Sequence, residues 1–366
     1  MLLRSSIVAG TFIRLPVRPQ CGLQLRHQSV STHKPLTLQP LADRSFIRVH
    51  GTDSASFLQG LMTNDMRHFE HGGAIYSMFL KANGRVFCDA LIYKRPKGEQ
   101  HDYLLECDSS VAGRLEKHLR LYRLKKKVDV IADDTFRLWV AFRDGVTHEE
   151  APSTEETASD KNLPVAADQL HPFKDPRLTR LGYRVLSSNA NENEAMEQLH
   201  KMFPGSSMAP TNGTDPLPYT AFRYALGVGE GGENLPDGKC FPLECNCDYL
   251  HGVSFHKGCY IGQELTARTY HTGVIRKRLM PLEFKEPPPV KDVPSEALQD
   301  AEIKNKDGAV VGKLRGLAGS MGLGLLRIEK VLPDGQLSVN VAGVSDPIAC
   351  RTRKPFWWPK ETNTRH

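Results

Sequence analysis

Cys259 stands in the stretch HKGCYIGQELTART, residues 256–269, between Lys257 on one side and the amide–acid pair Gln263 and Glu264 on the other. A thiol reacts, or ligates a metal, as its thiolate, and a nearby cation or helix N-terminus favours that form. Lys257 is two residues away and IGQELTAR reads as a helix beginning just after the cysteine, so both influences are expected at Cys259. Gly258 and Gly262 let the backbone turn sharply and approach a ligand closely. Gln263 can donate and accept, while Glu264 could orient Lys257 or take a proton. The candidate reactive set is therefore Cys259, Lys257, Gln263 and Glu264. The competing reading is a small residue filling a glycine turn, with the lysine and glutamate paired at the surface.

Metal chemistry is the other use of such residues. Cys240, Cys245, Cys247 and Cys259 cluster in sequence but contain no CxxC pair and no histidine at a finger interval, so no permanently bound metal is expected. In a reducing compartment the eight cysteines are expected mostly as thiols, with most of them small buried apolar residues.

The net charge of +6 suggests a polyanion partner until its location is considered. No Asp or Glu occurs before Asp43, whereas Arg4, Arg14, Arg18, Arg26 and Lys34 punctuate that start. Without those five, 43 Lys and Arg face 42 acids, so the rest of the chain carries no global signal for nucleic acid. A basic, hydroxyl-bearing, acid-free start is the pattern of a mitochondrial transit peptide, expected over residues 1–33 with cleavage a few residues after Arg26 and delivery to the matrix. No apolar run reaches the length of a membrane span.

With 366 residues, 25% of them charged, the chain can bury a large core and divide into two or three domains. RSFIRVHG alternates as a strand and SASFLQGLM follows as a helix capped by Asp53 or Ser54. Asn83-Gly84 between two apolar runs predicts a tight hairpin. HDYLLEC is a strand, and VAGRLEKHLRLYRL a helix capped from Asp108, Ser109 or Ser110. The cations Arg120, Arg123, Lys125, Lys126 and Lys127 at its end suit the helix dipole, or else an acidic partner or ligand tail. Residues 144–168 are polar and acidic, a surface insertion. RLGYRVL returns as a strand, followed by helices in NEAMEQLHKMF and LPYTAFRYALGV. More than thirty irregular residues then lead through the cysteine motif, a length that a compact domain seldom carries unless it lines a site. Beyond Arg276, KRLMPLEF, AEIKNKDGAVVGKL, MGLGLLRI and LSVNVAGV are short strands with Asp-Gly turns at 307–308 and 334–335, predicting a small antiparallel barrel. The expected class is α+β, with a core over residues 34–275 and the barrel over 276–366.

KGCYIGQE, together with FLQGLMTND, LKANGRVFCDALIY, LLECDSS, DPRLTRLG and PLECN, resembles the YgfZ branch of folate-binding proteins, related to the GcvT aminomethyltransferases of glycine cleavage. The resemblance runs through nearly the whole chain after the targeting segment. It implies a three-lobed ring around a central folate-sized hole, and the role of a mitochondrial factor that matures four-iron four-sulfur proteins together with A-type scaffold proteins, with a transient cluster contact. Tetrahydrofolate is the implied cofactor. Asp89 and Glu244 are the acids to place at a pterin, whose ring N–H groups a carboxylate accepts, with Gly258, Tyr260 and Gly262 completing the binding set. Asp89 lies inside an apolar run, while Glu244 could equally hold its own loop. The alternative function is a tetrahydrofolate-dependent one-carbon transferase. Against it, the aminomethyltransferases usually carry two adjacent acids where this chain has Cys88-Asp89, a glutamate where it has Ala225, and a polar or acidic residue where it has Cys259.

Overall fold

Alternating apolar residues set the strand faces, and the structure, a computed structural model, describes residues 35–70, 73–145, 168–209, 218–290 and 293–359. The expected transit peptide and nearly all of the polar insertion lie outside the described residues. Strands β1 (Thr37–Pro40) and β2 (Arg44–His50) lead into helix α1 (Ser54–Gln59), where the sequence predicts a longer helix. Asp53 stands at its N-terminus without capping it by side chain, since its Oδ2 accepts from the Lys127 backbone N–H instead.

β3 (Ala74–Leu80) and β4 (Val86–Lys94) form the expected hairpin, closed at Gly84, whose φ of 77° only a glycine adopts cheaply. β5 (Asp102–Asp108) runs into α2 (Ser109–Arg123), capped by the Asp108 carboxylate accepting from the Ser110 N–H. With β6 (Asp129–Asp133) these strands form a wholly antiparallel sheet in the order β3-β4-β5-β2-β6. One face packs on α1 and α2 through Phe57, Leu58, Val111, Leu115 and Leu119.

A second five-stranded sheet has the order β10-β1-β7-β9-β8, built from β7 (Arg137–Phe142), β8 (Leu170–Lys174), β9 (Tyr183–Ser187) and the short β10 (Ser207–Met208), which pairs in parallel with β1. Helix α3 (Glu192–Met202) covers its outer face with Ala195 and Leu199. After α4 (Pro218–Leu226) and the single turn α5 (Gly231–Asn234), the chain runs irregularly to α6 (Gln263–Thr272).

The last strands, β11 (Lys277–Phe284), β12 (Glu302–Asn305), β13 (Val310–Ala318), β14 (Met321–Arg327), β15 (Gln336–Asn340) and β16 (Ile348–Thr352), close a six-stranded antiparallel barrel. The sequence reading missed β16, a five-residue run, IACRT, without the alternation that marks the other strands. The expected Asp334-Gly335 turn leads into β15, and a helical turn over Ile328–Val331 precedes it. The α+β class and the C-terminal barrel are as expected.

The largest core joins these parts. Phe46, Tyr76 and Leu91 of the first sheet, Leu138 and Phe142 of the second, Tyr224 of α4, Leu279 and Leu323 of the barrel, and Cys240, Cys245 and Cys247 of the irregular segment belong to one cluster. A long loop survives here because its apolar side chains reach that core while its backbone polar groups bond to neighbouring elements.

The cysteine motif is fixed against the hairpin at a glycine–glycine contact. Gly262 has φ 78°, and a Cβ there would lie 2.4 Å from the Lys81 carbonyl oxygen; a Cβ at Gly84 would lie 3.2 Å from the Gly262 carbonyl oxygen. Gly258, in contrast, has no atom within 4 Å of such a Cβ. Gly262→Ala should therefore destabilise the protein by about 2–4 kcal/mol, combining backbone strain with displacement of the hairpin, while Gly258→Ala should be nearly neutral, read as urea midpoints.

Candidate functional site

Lys257 carries the motif's largest energetic commitment. Its Nζ donates to three backbone carbonyls, Gln59 at 2.7 Å, Met62 at 2.6 Å and Asn64 at 2.7 Å, and lies 4.8 Å from the centre of the Tyr260 ring. Those carbonyls belong to the run FLQGLMTND, so two stretches nearly two hundred residues apart in sequence lock together. The Ile261 N–H donating to the Gly60 carbonyl and the Ser254 N–H donating to the Thr63 carbonyl extend the same seam. Burial lowers the Lys257 ammonium to about 8, with Asp65 pulling the other way. Only the protonated form has three donors for three acceptors. The protons of Lys257 are thus engaged by backbone carbonyls, a structural role that the sequence reading did not assign to it.

Glu264 does not orient Lys257 either. No ion pair joins them among the described residues, and Glu264 is exposed in the first turn of α6, where a negative charge suits the helix dipole. Gln263 Oε1 accepts from the Tyr260 N–H at 3.3 Å, closing the turn before the helix. Tyr260 is buried in the main core, and burial pushes its phenol up. The helix starts at Gln263, not directly after the cysteine.

Cys259 itself is exposed. The other six described cysteines, Cys88, Cys107, Cys240, Cys245, Cys247 and Cys350, are all buried. Burial pushes the thiols of Cys107 and Cys350 to about 12 and those of Cys88 and Cys247 well up. Cys245 is raised first by its hydrogen bond with Cys240, then by burial. The sequence cluster of four cysteines is thus three core residues and one surface residue, which share no site.

The two acids go to different places. Glu244 is half-buried; its Oε2 accepts from the Phe241 N–H at 3.2 Å, holding its own loop, and it lines a cleft of about 470 Å³ with α6 and the start of the barrel. Asp89 is buried in β4, where its Oδ1 accepts from the Gly231 N–H at 3.0 Å and its Oδ2 has no protein partner.

Asp89 borders a buried ionic network that sequence reasoning did not assemble. Arg44 Nε donates to Glu106 Oε1 at 2.8 Å, Arg184 bridges Glu106 and Glu230, and Arg177 pairs with Asp175 at 2.7 Å and with Glu230 at 2.6 Å. Tyr93 donates its hydroxyl to Glu106 at 2.6 Å. Burial works against ionising Glu230, yet Arg184, Arg177 and Arg44 overcome it and hold the carboxyl well below its usual range. For Asp89 burial wins: its carboxyl is raised, with Arg44 opposing and Glu230 adding to the rise. Three guanidiniums balance Glu106, Glu230 and Asp175, leaving Asp89 as the surplus acid. Beside it, the Tyr76 hydroxyl and Arg44 Nη2 are also buried without protein partners. The available signal was charge inside apolar strands: Glu106 in HDYLLEC and Arg184 in RLGYRVL.

Comparison with known proteins agrees with this architecture. The chain is 37% identical to the human iron-sulfur cluster assembly factor IBA57, mitochondrial, over 94% of its own length and 93% of that protein's. It is 36% identical to the mouse protein of that name, over 87% and 84%, and 31% identical to the Aspergillus fumigatus homologue, over 79% and 69%. The chain belongs to the mitochondrial IBA57 family. Residues 41–141 match the GCVT N-terminal domain, and residues 276–360 match the CAF17 C-terminal beta-barrel domain.

The glycine cleavage system aminomethyltransferase T of Bartonella henselae superposes with a TM-score of 0.62 over 89% of this chain and 87% of that one, at 13% identity, so the two share a fold. Within the IBA57-family chain, Ala225 lines a cleft of about 390 Å³ with Phe222, Glu283, Met321 and Arg353. An ion pair at 3.0 Å joins Glu283 of β11 to Arg353, which follows the neighbouring strand β16.

Replacing Lys257 by Met keeps its length but leaves three carbonyls without their donor. Lys257→Met should cost about 3–5 kcal/mol, measured by urea denaturation, and should loosen the 59–64 segment in amide exchange.

Proposed function

We propose that this protein is a mitochondrial matrix factor for the assembly of iron–sulfur proteins, specifically those carrying [4Fe-4S] clusters, and that it presents Cys259 to a cluster or to the A-type scaffold protein that carries one. The carrying observation is the selective exposure of Cys259, on a turn whose neighbours are immobilised by Lys257 and Gly262. The family name of the relatives supplies the cargo class. On binding iron, Sγ gives up its proton and becomes a thiolate ligand; the six other described thiols are buried and out of reach.

Tetrahydrofolate is the cofactor in this reading. Asp89 Oδ2, the Tyr76 hydroxyl and Arg44 Nη2 fit the donors and acceptors of a pterin edge, because each is a buried polar atom in want of a partner. When bound, the folate would supply N–H donors that favour the ionised form of Asp89. A one-carbon transferase is the competing activity, and turnover of a one-carbon unit by the purified protein would establish it.

Cys259→Ser should express and melt like the parent yet fail to restore four-iron enzyme activity, aconitase for instance, in cells lacking the protein. A thiol reagent should modify Cys259 before any of the six buried cysteines of the parent. Full rescue by the serine variant at normal protein level would remove the thiol from the mechanism. Asp89→Asn should weaken tetrahydrofolate binding by about 1.5–3 kcal/mol in calorimetry, with a melting temperature at or above that of the parent because the surplus acid is gone. Unchanged affinity would take Asp89 out of the folate site.

A further inference from the structure

We propose that the cleft between the 241–244 loop, α6 and the start of the barrel binds a small organic anion: an oxyanion head carried on an apolar body. Its volume of about 470 Å³ falls within the range of about 300–1,000 Å³ that small-molecule sites occupy. Phe241, Leu243, Leu265 and Val274 give it apolar walls, and Arg276, Lys277 and Arg327 give it positive charge.

The charge is what distinguishes it. Lys277 and Arg327 are register partners on the antiparallel strands β11 and β14, so two like charges stand directly across from one another, with Arg276 adjoining. Such a pair is destabilising unless something negative lies between. Three other arginines of the barrel region have an acid from this chain: Arg278 pairs with Asp248 at 2.8 Å, Arg353 with Glu283 at 3.0 Å, and Arg315 with Asp300. Arg276, Lys277 and Arg327 have no such acid among the described residues.

An oxyanion on Lys277 and Arg327 relieves their repulsion, and a guanidinium fork can hold a carboxylate, phosphate or sulfonate through two parallel hydrogen bonds. The body of the ligand then lies along Phe241, which Arg85 already covers on one face at 4.5 Å. Glu244 is the one acid in the wall, and its Oε2 is occupied by the Phe241 N–H. The site is separate from Cys259, which is not part of its wall, and stands independently of the thiol reading.

The test is calorimetric titration of the full chain with 1-anilinonaphthalene-8-sulfonate, a sulfonate on an apolar aromatic body. Saturable binding is expected, with Kd rising about tenfold or more in Lys277→Ala/Arg327→Ala, the scale of a lost charge-assisted hydrogen bond. Arg327→Glu should abolish binding and raise the melting temperature, since it turns the repulsive pair into an attractive one. Leu121→Ser/Leu124→Ser, which removes the exposed apolar residues of α2 and the turn after it, should leave Kd unchanged. The proposal fails if the wild type shows no saturable binding, if the double alanine variant binds as tightly as wild type, or if inorganic phosphate binds as well as the naphthalene sulfonate, because the apolar walls would then have no role.

Discussion

The buried charge network between the two sheets constrains everything else. Arg44 and Glu106 come from the first sheet, Asp175, Arg177 and Arg184 from the second, and Glu230 from the turn before α5. Taking these groups out of water is expensive, and their mutual attraction offsets that cost only if all partners arrive together. Neither sheet can keep its charges buried alone. The network thus fixes how the sheets and the irregular segment meet, and removing one member would strand a charge at a cost of several kcal/mol. Asp89, the surplus acid at its border, is where that balance is incomplete.

A second constraint organises the cysteine motif. Lys257 plugs into three carbonyls, Gly262 meets the hairpin backbone, and Gln263 closes the turn onto Tyr260. Each of these residue types has a structural reason in this fold. Cys259 does not, because a serine or alanine would satisfy the exposed turn equally well. The contrast separates scaffold from function within one octapeptide: the fixed neighbours hold the thiol at a defined place on the surface, and packing does not explain the thiol.

Charge placement on the barrel carries the same logic outward. Arg278 stacks over Tyr249 at 3.8 Å and pairs with Asp248, so a buried cation is both covered and neutralised. At the cleft mouth, like charges on β11 and β14 are left facing each other. Arg278, Arg315 and Arg353 each find an acid in the chain, whereas that pair is left to something outside it.

Period-2 alternation, the Asn83-Gly84 turn and the capped apolar run VAGRLEKHLRLYRL determined by themselves the strands, the hairpin and the long helix, because these signals are local. The resemblance carried by KGCYIGQE and its companion runs indicated the family and the barrel. The sequence also singled out Cys259, and the structure places that residue at the surface. Only the tertiary structure decided what Lys257 and Gln263 do, since their partners lie at backbone atoms that no side-chain pattern encodes, and only it set Glu264 apart at the surface. Only it separated Asp89 from Glu244 and assembled Arg44, Glu106, Arg184 and Glu230, because ion pairing across sheets depends on strand order and register, set by the whole core. Strand β16 escaped notice for a related reason: its short, non-alternating run becomes a strand by pairing with β11 and β15, which closes the barrel.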